Sequence, residues 1–200
     1  MIPKIEFRYS YVYDKIYRDS CDVKDFLEDA NKKYPSKKEI IDFINKIKIA
    51  WKNDGAKILN KISNLCSLKW KDDKIVCYVV GFCRPMSDPL TVKFCRDVNH
   101  AIDIITHELI HKMQSQIDSK KWNRWLRFVN LRYPNESETT KSHIFLNAVH
   151  KKIYLDLFNK FRFERDVENS KISMSYRYSW RIVDRWGYEE IIKKFRELNN

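Results

Sequence analysis

"DIITHELIHKMQSQ", residues 103–116, is the stretch on which the reading of this 200-residue chain turns. Ile102, Ile105, Leu109 and Ile110 recur at helical spacing, and Asn99 is placed to cap a helix expected over about 98–117. Inside that helix stands H-E-x-x-H, formed by His107, Glu108 and His111. Residues four apart lie one turn from each other on one face, so both imidazoles can reach the same ion. Zinc takes about four donors, and a site that does chemistry leaves one position open to water. The carboxylate beside the first histidine can take a proton from such a water and pass it to a leaving amine. The spacing thus nominates His107 and His111 as metal ligands and Glu108 as general base.

A third donor is needed. All five histidines fall in two segments: His100, His107 and His111 in one, His143 and His150 in the other. On a helix expected over 139–161, His143, Asn147, His150 and Tyr154 lie within about 60° of one another. They sit inside an apolar arc of Leu146, Ile153, Leu157, Phe158 and Phe161. A polar stripe on a buried face is costly unless satisfied, and a metal would satisfy it. The stripe offers His143 and His150 as candidates for that donor. His100, two turns before His107, reads as structural, and Asp103 as a capping or solvated group.

Outward from these helices, Ile5, Phe7, Tyr9, Tyr11 and Tyr13 alternate with polar residues, so 4–13 reads as a half-buried strand. A short helix fits the polar stretch 22–34. Ser36 and Glu39 form a capping box opening a helix that carries Ile40, Ile44, Ile47 and Trp51, with Asn53-Asp54-Gly55 either breaking it or absorbed. "SLKW" and "KIVCYVVGF" flank Asp72-Asp73 and read as a hairpin, followed by a short strand "LTVKF". An amphipathic helix follows the motif helix, and two helices at 176–185 and 188–198 close the chain around Gly187. The organisation expected is one domain over 1–200, its core about 36–160 with the closing helices at 176–198. The fold class expected is α+β.

Composition narrows the function classes. Hydrophobic residues make up 44% of the chain and aromatics 14%, enough for a core, while three glycines and five prolines argue against disorder and tight-turned sandwiches. No apolar stretch of signal-peptide or membrane-spanning type is present. Cys21, Cys66, Cys77, Cys83 and Cys95 are odd in number and form no C-x-x-C, which fits reduced core thiols in a cytoplasmic protein. The net charge of +12 admits a nucleic-acid partner. Lysines and arginines are spread along the chain without a run of five, so solvated faces are the favoured reading. Trp122, Trp125, Arg124 and Arg127 are similarly read as packing an amphipathic helix rather than stacking on bases. A Gly-rich phosphate loop and G-x-S-x-G are absent.

"HELIH" after an apolar helical turn, followed by Gln114, resembles the active-site helix of zincin metallopeptidases. The order of short helices, small sheet, motif helix and ligand helix is similar to minimal gluzincin-like domains over roughly residues 36–160. The resemblance implies a zincin-like fold, with a small mostly antiparallel sheet packed on a helix-rich body. It implies a zinc-dependent peptidase acting on peptide or protein, with Zn2+ on His107 and His111 and Glu108 as base. It also implies that "DPLTVKF", or the strand before it, pairs with substrate, and that Tyr176, Tyr178 or Arg181 is a candidate oxyanion donor. "NESETT" matches the gluzincin Asn-Glu-x-x-Ser-Asp context only in part, and the metzincin third histidine is missing. SprT-like proteases, some of which act on DNA-bound proteins, take a later histidine, a role His143 suits; from these resemblances His143 ranks first as third ligand, Glu136 of "NESETT" second and His150 third. A basic nucleic-acid-binding module with structural histidines is the reading from a different class.

Overall fold

The N-terminal alternation makes a strand, but a shorter one than its tyrosines suggest. The computed structural model describes residues 1–170 and 173–199. In it β1 covers Lys4–Arg8, with Ile5 and Phe7 buried. Ser10 then caps α1 (Tyr11–Asp19), its Oγ accepting from the Tyr13 amide, so Tyr11 and Tyr13 are helical. Asp14 supplies the reason. Its carboxylate, 1% exposed, accepts from the Tyr9 hydroxyl (3.1 Å), the Tyr34 hydroxyl (2.7 Å), the Gly81 amide (2.8 Å) and the Arg18 guanidinium (3.0 Å). A buried carboxylate is tolerated only when its acceptor sites are filled, and helical geometry brings Arg18 one turn from it.

The described residues group into two units, Met1–Ala56 with Lys71–Lys112, and Lys57–Trp70 with Met113–Asn200. The first holds the whole sheet. After α2 (Cys21–Asp29), the capping box opens α3 (Lys37–Cys66): Glu39 accepts from the Ser36 amide at 2.7 Å and Ser36 Oγ from the Glu39 amide at 3.3 Å. Gly55 is absorbed into α3 because the Trp51 indole occupies the space a Cβ would take, 2.4 Å from it. Ile40, Ile44 and Ile47 are buried, and Trp51 meets Phe7 edge-on while Phe43 meets Phe94.

Strands β2 (Lys74–Val80), β3 (Met86–Ser87) and β4 (Leu90–Lys93) join β1 in the order β1-β2-β4-β3. β1 pairs with β2 in parallel, Lys4 opposite Lys74 and Arg8 opposite Tyr78. β2 pairs with β4 in parallel, Tyr78 opposite Thr91, and only β3–β4 is antiparallel. The helix-rich α+β class holds, but the expected mostly antiparallel sheet is corrected to a mixed sheet with two of three pairings parallel. The expected "SLKW" hairpin strand is also absent. Both edges of β2 are already taken, and residues 67–70 wrap the end of α3 instead, with Leu68 N donating to Ser63 O and Trp70 Nε1 to Leu59 O, both 3.1 Å. β4 lies between β2 and β3, and β3 occupies its outer edge at Leu90 and Thr91, so that part of "DPLTVKF" has no free edge to offer an extended peptide.

The second unit is helical. α5 (Ser119–Arg132) is capped by Asp118, and α6 (Glu138–Leu157) by Ser137, which accepts from the Thr140 amide. α6 packs against α5, α7 (Lys160–Ser170), α8 (Met174–Trp186) and α9 (Tyr188–Asn199) and is buried almost all round. The single helix expected over 139–161 breaks at Phe158, because Asn159 Oδ1 accepts from the Arg162 amide and starts α7. Gly187, at φ 91°, separates α8 from α9 as expected. Trp125 is fully buried among Phe145, Trp186 and Phe195. Among the described residues no helix is long and apolar enough to cross a membrane.

Candidate metal centre

The motif helix is α4 (Val98–Gln114). Its start is set by Asp97, whose Oδ1 accepts from the Asn99 amide at 2.9 Å, so Asn99 stands inside the helix rather than at its cap. Ala101, Ile102, Ile105, Leu109 and Ile110 are buried at helical spacing. The rings of His107 and His111, both half-buried, face each other edge to face with centroids 4.9 Å apart. Glu108 is 8% exposed. Burial raises its carboxyl from 4.5 to about 7, against the opposing field of the Arg84 guanidinium. Arg84 lies on the turn after β2, and nothing in the motif's spacing pointed to it.

His143 belongs to the second unit, in the second turn of α6, and is 6% exposed. Its Nδ1 is 2.7 Å from the Thr139 carbonyl oxygen. A carbonyl can only accept, so Nδ1 carries the proton and the lone pair is left on Nε2. This is the tautomer a metal-ligating histidine adopts when a backbone carbonyl orients it. Tyr176 packs edge-on to this ring, centroids 4.6 Å apart, whereas Arg181 covers the face of Tyr178. Of the three oxyanion candidates, Tyr176 alone is brought to a nominated ligand.

The remaining nominees are elsewhere. Glu136 sits in the turn before α6, its amide donating to Tyr133 O. His150 is 1% exposed, with Nδ1 3.9 Å from Asp166 Oδ2, a core position on α6. In the stripe, Asn147 is satisfied by Ser179, its Nδ2 donating to Oγ at 2.7 Å. Trp125 and the half-buried Trp122 pack α5, as read from their spacing. Cys66, Cys77, Cys83 and Cys95 are buried core thiols. Burial pushes Cys66 and Cys83 up to about 12 and Cys95 up to about 11, which removes thiolate chemistry at neutral pH.

Compared with protein-family models, with curated proteins and with solved structures, the chain matches none.

Proposed function

We propose that this chain is a zinc-dependent peptidase in which His107, His111 and His143 hold the ion and Glu108 is the general base. The observation that carries the reading is the pair of imidazoles one turn apart on α4, rings 4.9 Å between centroids, with the buried Glu108 between them in sequence. The donor chemistry fits zinc. His107 and His111 offer two imidazoles one turn apart on α4, the third donor proposed is also an imidazole, and the Thr139 carbonyl already orients His143 through Nδ1. Glu136 and His150 belong to no group of described residues that could hold a metal ion.

A bound zinc would supply Lewis acidity and lower the pKa of a water molecule. Glu108 accepts the proton of the attacking water and returns it to the nitrogen of the departing amine. Its burial keeps bulk water from competing for the carboxylate. Tyr176, packed on His143, is the hydroxyl available to donate to the developing oxyanion.

The test is metal content and peptide hydrolysis, measured on the same preparations. The purified chain should carry about one zinc at neutral pH. Glu108→Gln should keep that zinc and lose turnover, because an amide cannot accept the proton. A chain that takes up no added zinc at neutral pH would overturn the proposal.

A further inference from the structure

Within the second unit, α5 differs from every neighbour in charge. It carries Lys120, Lys121, Arg124, Arg127 and Arg132 and not one acid. Lys121 Nζ donates to the Asn199 carbonyl. Among the described residues no carboxylate lies within 4.0 Å of any of these five cations. Arg124, Arg127 and Arg132 are exposed. The basic face ends at a groove of about 320 Å³ between α5 and α9, lined by Phe128, Arg132, Trp186, Glu190, Lys193, Lys194 and Glu197. The Arg132 guanidinium lies 4.9 Å from the Trp186 ring centroid, and the Trp186 ring is itself stacked on buried Trp125, 16° between planes. Lys194 neutralises Glu197 at 3.3 Å, which leaves Arg132 and Lys193 to outweigh Glu190.

We infer that the outer face of α5 and this groove bind single-stranded nucleic acid, with phosphates on Arg124, Arg127 and Lys193 and a base stacked on Arg132. Five cations on one 14-residue helix, with no carboxylate within 4.0 Å of them among the described residues, repel each other and gain most from a polyanion. A guanidinium backed by an indole presents a flat cationic surface to the π-face of any base. A stacked aromatic column ending at a solvent-exposed arginine is of no use to a duplex, whose bases are already stacked. It is equally unsuited to a lipid surface, because the exposed face carries Asn123 and Asn130 and only one large apolar residue, Leu131. Helical spacing reads Trp122 and Trp125 as packing residues of α5, not as a stacking surface. The structure buries Trp125 and puts Trp186, some sixty residues later, at the surface end of the column. The inference does not rest on the metal centre.

The experiment is fluorescence anisotropy of a labelled oligothymidylate of about 15 nucleotides, with the full chain in the presence of a chelator. Three phosphate contacts give a slope of about −2 in log affinity against log salt, so affinity should fall about 20-fold between about 50 and 200 mM salt. Arg124→Glu combined with Arg127→Glu should weaken binding at least about tenfold and flatten the slope to about −0.7. Arg132→Ala should weaken it about tenfold, the loss of one stacked base. All three positions are exposed, and unchanged circular dichroism checks the fold. Absence of binding at about 50 mM salt, indifference to these substitutions, equal affinity for the duplex, or preference for phosphatidylserine vesicles would each overturn it.

Discussion

Glu108→Gln tests the burial of the motif carboxylate separately from any activity. In the metal-free protein burial raises Glu108 from 4.5 to about 7. The folded state therefore holds a proton that the unfolded chain releases between those values. Stability accordingly falls as pH rises from 4.5 to 7 and is flat above, the opposite of a salt-bridged carboxylate. At about 1.4 kcal/mol per pH unit, the gap corresponds to about 3 kcal/mol lost from the wild type. Glutamine has no proton to lose. The stability difference, variant minus wild type, should thus grow by about 3 kcal/mol between pH 4.5 and 8. With a urea dependence of about 2 kcal/mol per molar, the midpoints should separate by about a further 1.5 M. The assay is urea unfolding of both chelator-treated proteins, followed by tryptophan fluorescence across that range. Excess zinc should shrink or reverse the difference, since a nearby cation favours the ionised carboxylate. A difference that stays constant within about 0.5 kcal/mol from pH 4.5 to 8 would refute the argument that burial governs this group.

His143→Ala should lower zinc affinity by at least about 100-fold, while His150→Ala should keep zinc and cost about 2 kcal/mol of stability as a core truncation; competition with a chromogenic chelator and urea unfolding separate the two, and the reverse pattern would move the third ligand to His150. Asp14→Ala removes the acceptor shared by Tyr9, Tyr34, Gly81 and Arg18 and should destabilise the first unit by about 3 kcal/mol or more, leaving buried donors unpaired. A loss under about 1 kcal/mol in urea unfolding would mean that water replaces those bonds.

The sequence was most legible where order is local. The motif helix, the Ser36–Glu39 capping box, the closing helices around Gly187 and the burial of four of the five cysteines all follow from apolar period, caps and composition, which act over a few residues. Even the tautomer of His143 is local, because its Nδ1 partner, Thr139, is one helical turn away.

What the chain could not announce are the pairings across long separations. A run such as "KIVCYVV" has the same alternation whether its neighbour arrives parallel or antiparallel. Asp72-Asp73 therefore suggested a hairpin where the structure pairs β2 with β1, some seventy residues earlier, and with β4. The tyrosines after β1 fit both period two and a helix, and Asp14 settled it only by meeting Tyr34 and Gly81. The field of Arg84 on Glu108 and the Trp186 end of the aromatic column belong to the same class. Period and capping are set by forces that decay within a turn or two. Partner choice is set by which distant groups can fill a buried acceptor or a sheet edge, and that exists only once the chain has folded.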